Sequence, residues 1–226
     1  MCGEALHAPA FLDREDPVCG LCQRARPPFA RAVAYGGYDG GLRDLIHLLK
    51  YQQVRPAAAV LGRMLAEAVR GIERRLPAGE FVVVPVPLHA RKQSQRGFNQ
   101  SELIARSALR QLDAGRFVMA RNVLVRHRET GSQIGLTRHQ RRENLRGAFS
   151  VTHPAQIAQR NVLLIDDVFT TGTTAAECAR VLRRAGAEQV WVATVARTMK
   201  VSAIFAVPEP EREASRGEYM ARAANG

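Results

Sequence analysis

A chain of 226 residues with 46% hydrophobic content can bury one α/β core and leave room for a small appendage. Thirty-three basic residues against 21 acidic ones give a formal charge of +12, which favours polyanions in general without selecting one. No apolar run approaches the ~20 residues of a membrane helix, and Met1-Cys2-Gly3-Glu4-Ala5-Leu6 lacks the segments of a signal peptide, so no membrane insertion and a cytoplasmic location are expected.

Residues 1–30 are rich in Pro, Gly and Cys and are expected to form a small separate module. Cys19 and Cys22 have the spacing of a zinc-knuckle half-site, with Cys2 upstream. Structural zinc takes four ligands, usually as two pairs. A cysteine three positions before Cys2 would precede Met1, so a zinc ribbon truncated at its start is expected, with Cys2, Cys19 and Cys22 as ligands and His7 as the candidate fourth. Cys178 falls in an apolar helical stretch and is expected to be a small buried residue.

Residues 31–200 alternate strand and helix patterns, which predicts a parallel sheet flanked by helices. Ala32–Tyr35 is a short strand, and Leu42, Leu45, Ile46, Leu48 and Leu49 fall at helical spacing before Lys50-Tyr51. A longer helix is predicted from about Pro56 to Arg75, ended by Pro77 and Gly79. Phe81–Pro87 reads as a buried strand, Leu88–Asn99 as a basic loop, and Gln100–Leu112 as a helix. Val123–Val125, Ala148–Val151, Val162–Ile165 and Val190–Ala196 read as further strands of the sheet. Between the first two, residues 126–146 are polar and arginine-rich, with a helix predicted over Thr137–Leu145. Residues 201–226 carry Pro, Glu and small polar residues and are expected to be a disordered tail.

The densest chemistry lies in Val162-Leu163-Leu164-Ile165-Asp166-Asp167-Val168-Phe169-Thr170-Thr171-Gly172-Thr173-Thr174. A buried strand leads to two adjacent carboxylates, then a hydroxyl-rich turn, then a helix. Ligands of open α/β sheets bind beyond the carboxyl ends of strands. Unsatisfied N–H groups and the dipole at a helix start attract phosphate, and Gly172 lets the backbone come close. Carboxylates repel phosphate, so Asp166 and Asp167 are suited to sugar hydroxyls or magnesium. The plain alternative, a strand followed by a capped helix, needs only one Asp or Thr.

This run resembles the signature by which type I phosphoribosyltransferases bind phosphoribosyl pyrophosphate (PRPP); Phe169 is bulkier than the aliphatic residue usual there. With Tyr35, the helix ending in Lys50-Tyr51, Pro85-Val86-Pro87-Leu88-His89 and Arg96-Gly97-Phe98-Asn99-Gln100, the chain is similar to the ComF family, phosphoribosyltransferase-like proteins associated with competence and DNA uptake. Gln133, Leu136, Arg138, Arg142, Asn144-Leu145 and Gly147-Ala148-Phe149 fit as well, so the resemblance spans residues 19 to about 197. It implies a type I phosphoribosyltransferase fold binding PRPP with magnesium. Val168, Thr170, Thr171, Gly172, Thr173 and Thr174 would hold the 5-phosphate. Val86–Arg91 would cradle pyrophosphate, so Pro87, His89, Lys92 and Arg96 count as binding residues, with Asp166, Asp167, Arg91 and Arg142 as catalytic ones. His89 could instead be a structural hydrogen bonder. The 126–146 segment, with Arg138, Arg141 and Arg142, would be a loop closing over pyrophosphate. The family's complete ribbon has four cysteines, one more than stands here. A second expectation is a non-catalytic DNA-uptake factor that binds single-stranded DNA or a competence helicase; the aromatic content of 6% is low for a dedicated strand binder.

Overall fold

The computed structural model describes residues 1–3, 18–128 and 137–198. Its strands are β1 (Ala32–Gly37), β2 (Phe81–Pro85), β3 (Phe117–Met119), β4 (Leu124–Arg126), β5 (Phe149–Val151), β6 (Asn161–Phe169) and β7 (Gln189–Arg197). Its helices are α1 (Gly20–Arg24), α2 (Gly40–Tyr51), α3 (Ala57–Ile72), α4 (Ala90–Arg96), α5 (Gln100–Leu109), α6 (Arg138–Leu145) and α7 (Thr173–Arg184). Among these helices none is long and apolar enough to cross a membrane.

Five strands form one parallel sheet in the order β1-β7-β6-β2-β3. Its central strands are apolar on both faces, because helices cover both. Side chains alternate along a strand, so each face draws on every second residue. Val83, Leu163, Ile165, Ala193 and Val195 meet Leu61, Leu65 and Val69 of α3 and Ile104 of α5. Val82, Val84, Val162, Leu164, Val190 and Val192 meet Ala175, Cys178 and Leu182 of α7. Cys178 is fully buried, as a small apolar residue would be.

α3 and α5 cross almost backbone to backbone. A Cβ placed on Gly62 would lie 2.3 Å from Ser107 Cβ and 2.9 Å from Ala108 N. Alanine gains up to about 1 kcal/mol of helix propensity over glycine, but overpacking a core contact costs about 1–3 kcal/mol. Because the neighbour is partly backbone, overpacking dominates. Gly62→Ala is therefore expected to lower the urea midpoint at unchanged m-value.

Four features differ from the sequence reading. The basic loop at Leu88–Asn99 contains a helix, α4, started by the His89 side chain and ended by Gly97 at φ 74°. Residues 90–96 have no apolar stripe, so hydrophobic periodicity does not show this helix. The strands predicted near Val123 and Ala148 do not join the parallel sheet; β4 and β5 pair antiparallel as a separate two-stranded unit. The three-residue β3 borders β2 and is too short to show an alternating pattern. Finally, β6 does not stop before the acidic pair but continues through Phe169, still paired to β7. His7, residues 129–136 with Thr130, Gly131, Ser132 and Gln133, and the tail beyond Thr198 lie outside the described residues.

Candidate functional site

Asp166 and Asp167 stand near the carboxyl end of β6, at the sheet edge where β1, β2 and β7 also end. Asp167 is 5% exposed, and its Oδ1 accepts the Val168 N–H at 2.8 Å. Its Oδ2 forms an ion pair with Lys50 at the end of α2. Burial alone would lower the Lys50 pKa, but the facing Asp167 carboxylate outweighs it and raises it. Asp166 Oδ1 accepts the Asp167 N–H at 2.9 Å and the Ser101 hydroxyl at 3.0 Å. Ser101 is placed by Asn99, which caps α5 by accepting the Ser101 N–H and donates to the Val86 carbonyl, both at 3.0 Å. One asparagine therefore joins the end of β2 to the start of α5 beneath the acids.

Burial, and then the neighbouring Asp167 charge, push Asp166 up from 3.8 to about 7, with Lys50 opposing. The fold holds a proton there that the unfolded chain has lost. That contribution is complete below about pH 4 and disappears as pH rises through about 7. Melting temperature is therefore expected to slope downward between pH 5 and 7 in the wild type, relative to Asp166→Asn, when both are followed by thermal melts. Parallel slopes would show that Asp166 titrates normally.

After Phe169 the chain turns through Thr170 and Thr171 into α7, with Gly172 at the N-cap position at φ 75°. Thr171 and Thr173 hydroxyls are 2.8 Å apart. The Phe169 ring lies directly beneath this turn: a Cβ on Gly172 would meet its Cζ at 2.5 Å. Phe29 packs edge-on to that ring at 6.1 Å, and the Arg197 guanidinium lies over it at 5.1 Å. The bulky residue at position 169 is thus a floor for the turn. The result is a helix start with hydroxyls and N–H groups at the same sheet edge as two carboxylates.

The basic residues divide. Arg91 and Lys92 lie exposed on α4, which follows Val86 and Pro87 beyond the end of β2. Arg96 turns back toward α2, donating to Gln100 and lying 5.8 Å over the Tyr51 ring. His89 accepts the Arg91 N–H at 3.4 Å through Nδ1 and so acts as a helix cap, the structural alternative raised above. Arg142 is exposed on α6, whose start has the Thr137–Gln140 capping box. Leu145 anchors α6 in the core layer of α7, and Gly147 N–H donates to Glu177 of α7 at 2.9 Å. These bonds tie α6 to α7.

The sulfurs of Cys2, Cys19 and Cys22 all lie within 4.8 Å of one another, with Cys2 and Cys19 3.5 Å apart. Sulfurs bound at ~2.3 Å to a tetrahedral ion stand ~3.8 Å apart, so the three thiols fit three corners of such a site. Burial and the adjacent thiols push Cys22 up to about 12, which a bound cation would reverse. Arg197 connects this cluster to the turn: it donates to the Cys2 carbonyl while covering the Phe169 ring.

Ser101 and Arg197 are residues of this site that the sequence does not single out, whereas Lys50 and Asn99 enter it only within the segments that carry the resemblance, without a role of their own. A further signal for Lys50 is its rarity: it is one of three lysines, with Lys92 and Lys200, among 33 basic residues, where Arg is otherwise used.

The model of the phosphoribosyl transferase domain family matches residues 99–203, from the cap of α5 past the end of β7. The class is that of phosphoribosyltransferase-fold proteins. Competence protein F of Haemophilus influenzae is 35% identical over 184 residues, covering 79% of this chain and 78% of its own. DNA utilization protein YhgH of Escherichia coli is 36% identical over 185 residues, covering 80% and 78%. The chain belongs to the ComF family, together with these proteins. Among solved structures, glutamine PRPP amidotransferase from B. subtilis resembles 62% of this chain and 26% of its own length, at 23% identity and a TM-score of 0.38.

Proposed function

We propose that the chain binds magnesium-PRPP at the carboxyl edge of β6 and transfers its phosphoribosyl group to an acceptor. The observation that supports this most is the placement of Asp166 and Asp167 beside the Thr170–Thr174 turn at the start of α7. The turn's N–H groups and hydroxyls would take the 5-phosphate, with Val168 and Gly172 shaping the approach. The acids would accept the ribose hydroxyls. Pro87, His89, Arg91, Lys92 and Arg96, which follow β2 into α4, would meet pyrophosphate, and Arg142 would come from α6. Lys50 already neutralises Asp167, so the pair does not form an all-protein cage for a bare divalent ion. It fits magnesium that arrives on substrate phosphates, where the ion would offset pyrophosphate charge. In transfer the anomeric C–O bond to pyrophosphate breaks and pyrophosphate leaves with the electron pair. The acceptor's lone pair forms the new bond, and its proton passes to solvent or leaving group. Catalysis would come from positioning and from charge at the leaving group. A pyrophosphate-release screen over nucleobases and amines tests turnover; release above the no-enzyme rate with one acceptor supports transfer, and none across the screen contradicts it.

The second reading is a DNA-uptake factor that uses the ribose-phosphate site without turnover. It is favoured by the +12 charge and by the names of the relatives. Single-stranded DNA would then bind with affinity falling as salt rises, and a competence helicase would be a partner. Changing Arg138, Arg141 and Arg142 to Ala is expected to flatten the salt slope, by about one unit for each phosphate that an arginine no longer neutralises. An unchanged slope would place the DNA-binding surface elsewhere. The cysteine cluster would hold zinc, with Cys2, Cys19 and Cys22 as ligands. Purified protein is then expected to carry about one zinc, absent from Cys22→Ser; equal metal content in both would contradict this. The same reading puts the protein in the cytoplasm.

A further inference from the structure

The end of α2 carries a ring system that neither reading uses. Tyr38 follows β1, and its N–H donates to the Arg197 carbonyl at 2.7 Å, so it stands at the sheet edge that holds Asp166 and Asp167. Its hydroxyl bonds His47 Nε2 at 3.0 Å. One turn along α2, the Tyr51 ring meets the His47 ring edge-on at 5.1 Å. Arg96 of α4 lies over the Tyr51 ring, yet Tyr51 remains 68% exposed. Two links join this band to the acids. Lys50, beside Tyr51, pairs with Asp167, and Arg96 donates to Gln100, the neighbour of the Ser101 that donates to Asp166.

A large ring left open to water forgoes the stabilisation that burial gives an aromatic side chain. This one is held by a hydrogen-bonded histidine on one side and a guanidinium on another, so little freedom remains to be given up on binding. Cations gather on this side of α4: Arg96 lies over the ring, Lys92 stands one turn before it on the helix, and Arg55, whose guanidinium lies 5.4 Å over Phe98, comes against Gly97 at the helix end. A cationic ligand is repelled there, and an anion without a flat face leaves the ring unused. The chemistry matched is a planar π system attached to phosphate.

We propose that Tyr51 is a stacking platform for a nucleobase, whose phosphate is met by the cations of α4. The base can belong to a single strand of DNA or to a free nucleotide. The platform goes beyond ribose-phosphate binding, and it requires no turnover.

Fluorescence anisotropy tests it with a labelled oligothymidylate and an abasic oligomer of the same length and charge, with thymidine monophosphate as competitor. Stacking on an aromatic residue is worth about five- to 150-fold in affinity per base. The wild type is expected to prefer the oligothymidylate over the abasic strand by at least about fivefold. Tyr51→Phe keeps that preference, and Tyr51→Ala abolishes it while binding the abasic strand as before. A strand as the source predicts that the monophosphate competes weakly; a free nucleotide as the source predicts competition at equal concentration. Equal wild-type affinity for both oligomers overturns the proposal, as does a preference that survives in Tyr51→Ala or no binding of either strand. Melting temperatures of both variants report folding. The shift caused by magnesium-PRPP, measured alongside, keeps the two proposals apart: an abolished base preference with an intact shift concerns the platform, and no shift in the wild type concerns the PRPP site alone.

Discussion

Lys50→Met should be the most damaging single substitution near the site, costing about 3–5 kcal/mol of folding stability. The ammonium faces Asp167 with only 17% of its side chain exposed, and the Asp167 side chain is 7% exposed. An exposed pair of this kind would be worth less than about 1 kcal/mol. Here removal of the cation leaves a largely buried carboxylate without its partner, next to a second carboxyl that is already driven toward its neutral form. For a domain of this size the cost corresponds to a fall of roughly 6–20 °C in melting temperature. Lys50→Met combined with Asp167→Asn removes both charges and should recover most of the loss. A single variant that melts within a degree or two of the wild type would mean that the pair is solvated.

Gly172→Val should have two separable costs. The backbone at φ 75° is strained for any residue with a Cβ, by about 1–3 kcal/mol. The new side chain would also overlap the Phe169 ring, whose nearest atom is 2.5 Å from an ideal Cβ, at a further ~1–3 kcal/mol. Adding Phe169→Leu should relieve the second cost and leave the first. Urea unfolding of the two variants measures the split. If Phe169→Leu rescues nothing, the ring is not the floor of the turn. If it rescues everything, the turn tolerates a Cβ.

The strand-turn-helix of β6 and α7 could be read from the sequence because each part has a physical signature: a continuous apolar run, paired acids, then hydroxyls around one glycine. The helices α3, α5 and α7 were legible for the same reason, since each buries a periodic stripe. What could not be read is what only tertiary packing decides. Lys50 lies 117 positions from Asp167, and nothing local in α2 shows that its amine turns inward. Asn99 closes the basic loop of the sequence reading and Ser101 falls in the first turn of the helix that follows, and their bonds to Val86 and Asp166 exist only because α5 begins beside β2 and β6. The β4–β5 pair was misplaced because three-residue strands carry too little pattern to choose between a sheet edge and a separate ribbon. The platform at Tyr51 was missed because aromatic content counts rings without showing where they gather.

If the Thr170–Thr174 turn holds the phosphate of a ribose-phosphate ligand, isothermal titration with magnesium-PRPP will separate the wild type from Thr171→Val/Thr173→Val. Each hydroxyl bonded to a charged phosphate contributes about 1.5–3 kcal/mol, so the double variant should bind roughly 100-fold more weakly or worse. Ribose 5-phosphate should compete in the wild type, because the turn reads the phosphate both ligands share. Wild-type affinity in the double variant, with competition by ribose 5-phosphate intact, would place the phosphate elsewhere and contradict the site described.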